Sequence, residues 1–257
     1  MMKPKSEWQT KELAQAFLEG MRGAIPGADL QLTVISKVAQ RWSTSPKRIL
    51  DLGCGNGILG QFLLKLFPSA SGLFLDFSDP MIDAAIEKVS ALPNTTVAKA
   101  DFASPQWLDV ARPHGPFDIV MSGFAIHHQP DEGKRELYAE VYDLLAPDGI
   151  FLNLEHVASA TEAGQELFDD FFVDHLHDFH RKSNADVNRD AIADEYYKRP
   201  DKKENILAPV EEQCEWLRQI GLNDVDCFFK VFELALFGGR KTSKTHASDG
   251  EGVPGNL

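Results

Sequence analysis

Three glycines at alternate positions, directly after a short apolar segment, constrain the fold of this chain more than any other feature. Residues 48–52 form the apolar segment, and residues 58–67 beyond the glycines have the apolar spacing of a helix. Gly53, Gly55 and Gly57 lack a Cβ atom, so the backbone there can adopt positive φ and a ligand can lie directly against it. The sequence therefore predicts a strand, a tight ligand-binding turn and a helix.

Short apolar strands alternate with amphipathic helices along the rest of the chain. Further strands are predicted at residues 72–76, 95–100, 117–121, 150–154, 225–229 and 232–237, and helices at 80–91, 131–145 and 209–220. Such alternation is typical of an α/β fold, in which a parallel sheet carries helices on both faces and right-handed connections join the strands.

Segments outside this alternation predict the domain organisation. Apolar residues at helical spacing in 8–18 and 30–42 indicate two helices before the first strand, and 161–199 is a polar, aromatic-rich helical stretch. The predicted parts are an N-terminal helical segment at 1–46, an α/β domain at 47–241 with a helical cap inserted at 156–208, and a disordered tail at 242–257.

The charge of the chain limits its partners. Its 257 residues include 26 Lys and Arg against 39 Asp and Glu, and the formal net charge of -13 opposes attraction to nucleic-acid phosphates and anionic membranes. Three cysteines are too few for a disulfide framework, and the sequence has no signal-peptide pattern or membrane-spanning apolar run. We expect a cytoplasmic protein with a small-molecule partner, without membrane or nucleic-acid partners; a homodimer formed through the cap is an open alternative.

Two acidic residues at strand ends indicate what the glycine turn binds. Asp76 closes the second strand, where a carboxylate can accept hydrogen bonds from both hydroxyls of a ribose. The alternative is that the glycines only form a tight turn and Asp76 is a solvated strand end. Residues 55–60 also match the Gly-x-Gly-x-x-Gly pattern of nicotinamide dinucleotide sites. Asp51 argues against that cofactor, because a carboxylate before the glycines suits a cationic amino group rather than a pyrophosphate.

These motifs resemble class I S-adenosylmethionine-dependent methyltransferases, over roughly residues 47–241. The resemblance implies a Rossmann-like, seven-stranded, mostly parallel sheet with an antiparallel last strand, and S-adenosylmethionine as the cofactor. The residues that it implies around the cofactor are Asp51, Gly53, Cys54 and Gly55 at the methionine end, Asp76, Phe77 and Met81 at the ribose, Asp101 and Phe102 at the adenine, and Gly123 with Phe124 beneath the transferable methyl group. Phe124 has an equally good interpretation as an ordinary core residue.

Methyl transfer from a sulfonium is an in-line displacement, so a base is needed only when the acceptor must lose a proton. The candidates His127 and His128 follow the fourth strand, and Glu155 and His156 follow the fifth, at the strand ends where open sheets bind ligands. Alternatively, the histidine pair caps a helix or forms a wall of the cofactor pocket. No metal site is predicted, because the histidines of residues 175–180 lack the spacing of a metal-binding motif.

A closer partial resemblance is to the carboxy-S-adenosylmethionine synthases of tRNA wobble-uridine modification, which modify the methyl group of the cofactor. The segments concerned are 22–27, 177–181 and 197–199, with Glu204 and Asn205 downstream. The resemblance implies that Arg22 approaches the cofactor carboxylate and that Arg199 binds an anionic group. This chain departs from that subfamily at residues 55–57 and at Ala28.

The predicted function is transfer of a methyl group to a small-molecule acceptor. Phe172 belongs to an aromatic stripe that packs the cap helix, and it is predicted to line the acceptor pocket as well. Two alternatives remain open: an enzyme like the carboxy-S-adenosylmethionine synthases, and a non-catalytic protein that binds the cofactor. The first predicts a modified cofactor, and the second predicts cofactor affinity without a product.

Overall fold

The computed structural model describes residues 21–243. Its α-helices are Ala28–Trp42 (α1), Ile58–Leu66 (α2), Asp79–Val89 (α3), Trp107–Ala111 (α4), Asp131–Leu144 (α5), Glu162–Arg181 (α6), Arg189–Lys198 (α7) and Val210–Ile220 (α8). Its strands are Arg48–Leu52 (β1), Ser71–Asp76 (β2), Thr95–Lys99 (β3), Phe117–Gly123 (β4), Leu145–His156 (β5), Asn223–Val231 (β6) and Leu234–Arg240 (β7). Short 3-10 helices lie at Met21–Ala24, Arg112–His114, Ile126–His128 and Pro200–Glu204. Across these described residues, no helix is both long and apolar enough to span a membrane.

One seven-stranded sheet organises the chain, in the order β3-β2-β1-β4-β5-β7-β6. The four neighbouring pairs β3–β2, β2–β1, β1–β4 and β4–β5 are parallel. Strand β7 is antiparallel to both of its neighbours, β5 and β6. Strands β1 and β7 are almost entirely buried, as expected of strands covered on both faces. The predicted Rossmann-like fold with an antiparallel last strand is confirmed.

Helices cover the two faces of the sheet with separate apolar layers. Helices α1, α2 and α3 pack on one face through residues such as Ile35, Leu63 and Ala85. Helices α4, α5 and α8 pack on the other face, where Trp107 and Leu217 are buried. The carboxyl ends of β1, β2 and β4 lie at one edge of the sheet, because these strands are parallel, and open sheets bind ligands at that edge.

The cap region differs from the continuous helical stretch predicted over 161–199. Residues 182–188 divide it into α6 and α7. Helix α7 begins after Asn188, whose Oδ1 accepts hydrogen bonds from the N–H groups of Asp190 and Ala191 at 2.7 and 3.2 Å. Asparagine is a preferred N-cap residue, so this local signal starts a new helix where helical spacing alone predicted continuation.

Parts of both predicted terminal segments lie outside the described residues. The helix predicted at 8–18 lies outside them, as do residues 244–257 of the predicted disordered tail. The structure describes the first two residues of that tail. The backbone N–H and the hydroxyl of Ser243 donate hydrogen bonds to the Asp148 carboxylate at 3.0 and 2.6 Å, which fixes this residue on the domain.

Gly60 in α2 has no room for a side chain. A Cβ atom there would lie 2.3 Å from Cε1 of Phe74 and 2.8 Å from Oδ2 of Asp51. We expect Gly60→Ala to lower the free energy of unfolding by about 1–3 kcal/mol in urea denaturation, because overpacking a core forces strain. Gly133→Ala in α5 is the matched control, since its Cβ would meet nothing closer than 3.5 Å and alanine favours a helix. Equal effects of the two substitutions would contradict the packing argument.

Candidate functional site

The turn between β1 and α2 has the backbone geometry that its glycines predict. Gly53, Gly55 and Gly57 have φ angles of 67°, 52° and 76°, in the left-handed region that residues with side chains rarely adopt. A Cβ atom on Gly53 would lie 2.4 Å from the Cβ of Ala125 and 3.2 Å from the ring of Phe102. The bare backbone of the turn therefore meets the segments that follow β3 and β4.

Two buried carboxylates lie at this turn. Asp51 Oδ2 accepts a hydrogen bond from the Gly60 N–H at 2.7 Å, and Asp76 accepts hydrogen bonds from the N–H groups of Gly55 and Ser78 at 2.8 and 2.9 Å. Burial raises the pKa of Asp51 to about 7, with the Gly60 N–H opposing the rise and Asp76 adding to it. Burial also raises the pKa of Asp76. Neither carboxylate pairs with a Lys or Arg of residues 21–243, so the turn suits an electropositive ligand group.

The other residues predicted to contact the cofactor differ in their exposure. Cys54 and Met81 are buried, whereas Phe77 and Phe102 are half-buried. Asp101 is exposed, and its Oδ1 accepts a hydrogen bond from a backbone N–H at 2.9 Å. Exposed and half-buried side chains at the ends of β2 and β3 leave polar and aromatic groups open to a ligand.

Gly123 and Phe124 join β4 to the segment that carries the histidine pair. A Cβ atom on Gly123 would lie 2.3 Å from Cδ1 of Leu59, so the end of β4 fits closely against α2. Phe124 has a φ of 52°, and its N–H donates a hydrogen bond to the Leu154 carbonyl at 2.7 Å. Arg22 has its backbone in the Met21–Ala24 3-10 helix, and its side chain lies outside the described part of the chain.

A buried histidine–carboxylate pair lies at the ends of β4 and β5. Glu155 is 0% exposed, and its Oε1 lies 2.5 Å from Nδ1 of His127. The same carboxylate accepts hydrogen bonds from the backbone N–H groups of His127 and His156 at 3.1 and 3.0 Å. Burial alone would raise the pKa of Glu155, but His127 and these hydrogen bonds hold it below its ordinary value. The ionised carboxylate therefore holds the His127 ring through Nδ1. The other ring nitrogen, Nε2, takes no part in this contact.

The two neighbouring histidines have different surroundings. His156 Nε2 lies 2.7 Å from Oε2 of the buried Glu233, which makes a second histidine–carboxylate pair. The ring centroids of His127 and His156 are 5.9 Å apart. His128 contacts the His127 ring, and burial together with His127 lowers the pKa of His128 to about 4. A base with that pKa accepts a proton poorly at neutral pH, so His128 is poorly suited to proton transfer.

A cavity of about 110 Å³ opens beside His127 and His156. Its apolar lining residues are Ile25, Phe124, Phe168, Phe172, Tyr196 and Leu234. Its polar lining residues are His127, His156, Arg199, Asp201, Lys202 and Asn205. The cavity is distinct from the glycine turn, and a mostly apolar lining surface with convergent polar groups is typical of a small-molecule site.

Both cations of the cavity are paired with carboxylates. The Arg199 guanidinium donates two hydrogen bonds to Asp201, which is 3% exposed. Lys202 Nζ lies 3.4 Å from Asp169 and 3.5 Å from the centroid of the Tyr196 ring. Arg199 and Phe172, predicted from the sequence to contact the substrate, thus both lie in the cavity wall.

A hydrogen-bonded contact holds the returning end of the cap against His127. The Ile206 N–H donates to the His127 carbonyl at 2.8 Å. The Lys134 ammonium, buried in α5, donates to the Ile206 carbonyl at 2.5 Å and to Asp131 at 2.6 Å. A buried ammonium is costly unless it is paired and hydrogen-bonded, so Lys134 strongly favours this position of Ile206.

Sequence analysis did not identify Glu233, Asp201 or Lys202. Glu233 pairs with His156 across 77 residues of sequence, so no local spacing connects the two. Asp201 lies only two residues after Arg199, and an acid so close to a candidate substrate-binding arginine is a signal that could have identified this pair.

The segment that carries the glycine turn is similar to a known protein family. Residues 49–149 match the protein family described as "Methyltransferase domain". A relative from Pseudoalteromonas atlantica, named carboxy-S-adenosyl-L-methionine synthase, is 25% identical over 227 residues, which cover 87% of this chain and 88% of the relative.

Solved structures of methyltransferases share the fold. An O-methyltransferase family protein from Burkholderia thailandensis superposes with a TM-score of 0.63 at 18% identity; the match covers 90% of this chain and only 60% of that one. Magnesium protoporphyrin IX methyltransferase from Synechocystis PCC 6803, solved with bound SAH (S-adenosylhomocysteine), superposes with a TM-score of 0.55 at 14% identity and 84% coverage of both chains.

The raised pKa of Asp51 predicts proton release on ligand binding. A cationic amino group beside this carboxylate stabilises the ionised form, so affinity for S-adenosylhomocysteine should rise with pH up to about 7 and level off above it. Calorimetric titrations at pH 6 in two buffers of different ionisation enthalpy measure the released protons. Asp51→Asn, which can still accept from the Gly60 N–H, should abolish the release. Equal enthalpies in both buffers for the unchanged protein would contradict contact between Asp51 and the amino group.

Proposed function

We propose that this chain, whose residues 49–149 match the family described as "Methyltransferase domain", is a class I S-adenosylmethionine-dependent methyltransferase that transfers a methyl group to a small-molecule acceptor held in the cavity, with His127 as the base. The observation that carries this proposal is the His127–Glu155 pair in the cavity wall. A histidine held by a buried carboxylate through one ring nitrogen can accept a proton at the other. That arrangement serves an acceptor that must lose a proton as it reacts.

The glycine turn and its carboxylates are the proposed cofactor site. Asp51 fits the amino group of the cofactor, because its buried carboxylate has no Lys or Arg partner among the described residues. Asp76 fits the ribose hydroxyls, although its oxygens accept from Gly55 and Ser78 N–H groups here. Cys54, Phe77, Met81, Asp101, Phe102, Gly123 and Arg22 complete the proposed contacts. These residues would hold S-adenosylmethionine, which would supply an electrophilic methyl group, with a bond from the acceptor to the methyl carbon formed as the carbon–sulfur bond breaks and leaves its electron pair on sulfur.

The chain's own residues would then orient the acceptor and move its proton. The rings of Phe168 and Phe172 give the cavity an apolar wall that positions the acceptor and excludes water. His127 Nε2 takes the acceptor proton, and Glu155 stabilises the imidazolium that forms. His156, paired with Glu233, also lines the cavity, with its ring centroid 5.9 Å from that of His127, and is the second group able to exchange a proton with the acceptor.

Removing the base should slow turnover without weakening cofactor binding. We expect His127→Asn to lower kcat about 10²–10⁴-fold, because a positioned base contributes about that much. Turnover is measured as S-adenosylhomocysteine formed with a panel of small phenols, and affinity by calorimetry. His180→Asn, on the exposed side of α6, is the matched control and should change neither quantity. Parallel losses of kcat and cofactor affinity would make His127 a wall of the cofactor site instead.

The principal alternative is an enzyme like the carboxy-S-adenosylmethionine synthases. It is favoured by the name and coverage of the Pseudoalteromonas atlantica relative, and by Arg199 in the cavity wall, where an anionic group could bind. Mass spectrometry of ligand released from freshly purified protein separates the two functions, since a carboxylated cofactor differs in mass from S-adenosylmethionine. Cofactor affinity without any product would favour the non-catalytic alternative.

A further inference from the structure

The Arg199–Asp201 pair in the cavity wall differs from an ordinary surface ion pair in geometry and burial. Arg199 Nε donates to Oδ1 of Asp201 at 3.1 Å, and Nη2 donates to Oδ2, so one guanidinium engages both carboxylate oxygens. The Asp201 side chain is 4% exposed and that of Arg199 is 28% exposed, and both residues line the cavity. Paired hydrogen bonds of this kind are among the strongest that side chains form. The guanidinium of the wall is therefore already engaged by a carboxylate of the protein itself.

Burial opposes separation of this pair. A buried carboxylate that loses its cation is strongly destabilising, because water does not replace the lost partner. Asp201 also follows Arg199 by only two residues, in the Pro200–Glu204 3-10 helix, so the chain itself holds the two side chains together. A ligand carboxylate would have to displace Asp201 from the guanidinium or share the guanidinium with it.

The other charges of the wall do not compensate for this. The carboxylates in the wall or paired with it are Glu155, Glu233, Asp201 and Asp169. Their cationic partners are Arg199, Lys202 and, when protonated, His127 and His156. With both histidines protonated these cations only balance the carboxylates, and with neutral histidines the carboxylates are in excess. In neither state do these groups offer a net positive charge to an anionic ligand, and like charges repel strongly where water is scarce.

The apolar part of the lining favours an uncharged ligand as well. The Phe172 ring is stacked on Tyr196 at a centroid distance of 5.4 Å and an interplanar angle of 25°, and it lies 5.5 Å from the Phe168 ring. Burying apolar ligand surface against these rings is favourable, whereas burying an unpaired charge there is costly.

We propose that Asp201 is a specificity-determining residue: by engaging Arg199 it excludes anionic acceptors and reserves the cavity for an uncharged acceptor with an apolar body. The inference rests on the proposed methyl transfer and narrows its acceptor class to neutral compounds. It opposes the principal alternative function, since an anionic group at Arg199 would compete with Asp201. Selectivity of this kind comes from a charge that acts against the unwanted ligand.

Binding of benzamide and benzoate tests this assignment, because the two probes are nearly equal in shape and differ in charge. Calorimetry uses the full chain at neutral pH in the presence of S-adenosylhomocysteine. We expect the unchanged protein to bind benzamide roughly ten-fold more tightly than benzoate. Asp201→Asn keeps the size of the side chain and removes its charge. It should raise benzoate affinity by about 10–100-fold, the range expected of a hydrogen bond to a charged group, and leave benzamide affinity nearly unchanged.

Two further variants separate charge selection from a general effect of substitution. Arg199→Gln in the Asp201→Asn background should remove the gain in benzoate affinity, because the gain requires the released guanidinium. Asp178→Asn is the matched control, since Asp178 pairs with Arg181 on the exposed side of α6 and does not line the cavity. It should bind both probes as the unchanged protein does.

Three results would overturn the proposal: equal or tighter binding of benzoate by the unchanged protein, no gain in benzoate affinity in Asp201→Asn, or no binding of either probe to both proteins. The comparison on the unchanged protein decides the matter even if Asp201→Asn does not fold. If benzamide is preferred but no neutral acceptor yields S-adenosylhomocysteine, the proposed function fails while the charge selection stands. If methyl transfer that depends on His127 favours anionic acceptors, the proposed function stands and this inference fails.

Discussion

The fully buried carboxylate of Glu155 is the interaction on which the arrangement of the site depends. A buried, ionised carboxylate is costly by several kcal/mol unless donors surround it. Its donors are the ring and backbone of His127 and the backbone of His156, so β5 and the segment after β4 must meet in one geometry. The sheet makes this meeting possible, because β4 and β5 are parallel neighbours whose carboxyl ends coincide.

The glycine turn and the cavity lie at this edge of the sheet and differ in polarity. The glycine turn is bare backbone over the buried acids Asp51 and Asp76, which suits a ligand with hydroxyl and amino groups. The cavity has aromatic walls and paired charges contributed mostly by the cap. Phe124 lies at the boundary, with a positive φ that turns the chain from β4 into the cavity wall. We therefore propose that the cofactor and the acceptor approach each other at Phe124.

The sequence predicted those parts of the fold that depend on neighbouring residues. Apolar runs and glycines at fixed spacing predicted the strands, the turn and the seven-stranded sheet, because these features are local. The break in the cap helix was missed, since the N-cap at Asn188 competes with an otherwise continuous helical spacing. The partner of His156 could not be predicted, because Glu233 reaches it only through the pairing of β5 with β7.

The contact between Lys134 and Ile206 links the cap to the segment that carries His127. Both backbone groups of Ile206 are hydrogen-bonded: its carbonyl accepts from the Lys134 ammonium, and its N–H donates to the His127 carbonyl. The cap cannot swing away at this point without pulling on the loop that carries His127. An acceptor of the proposed function would therefore enter and leave past other parts of the cap, or its passage would shift the His127 ring. In the second case, opening of the cap at Ile206 and displacement of the His127 ring would be one motion.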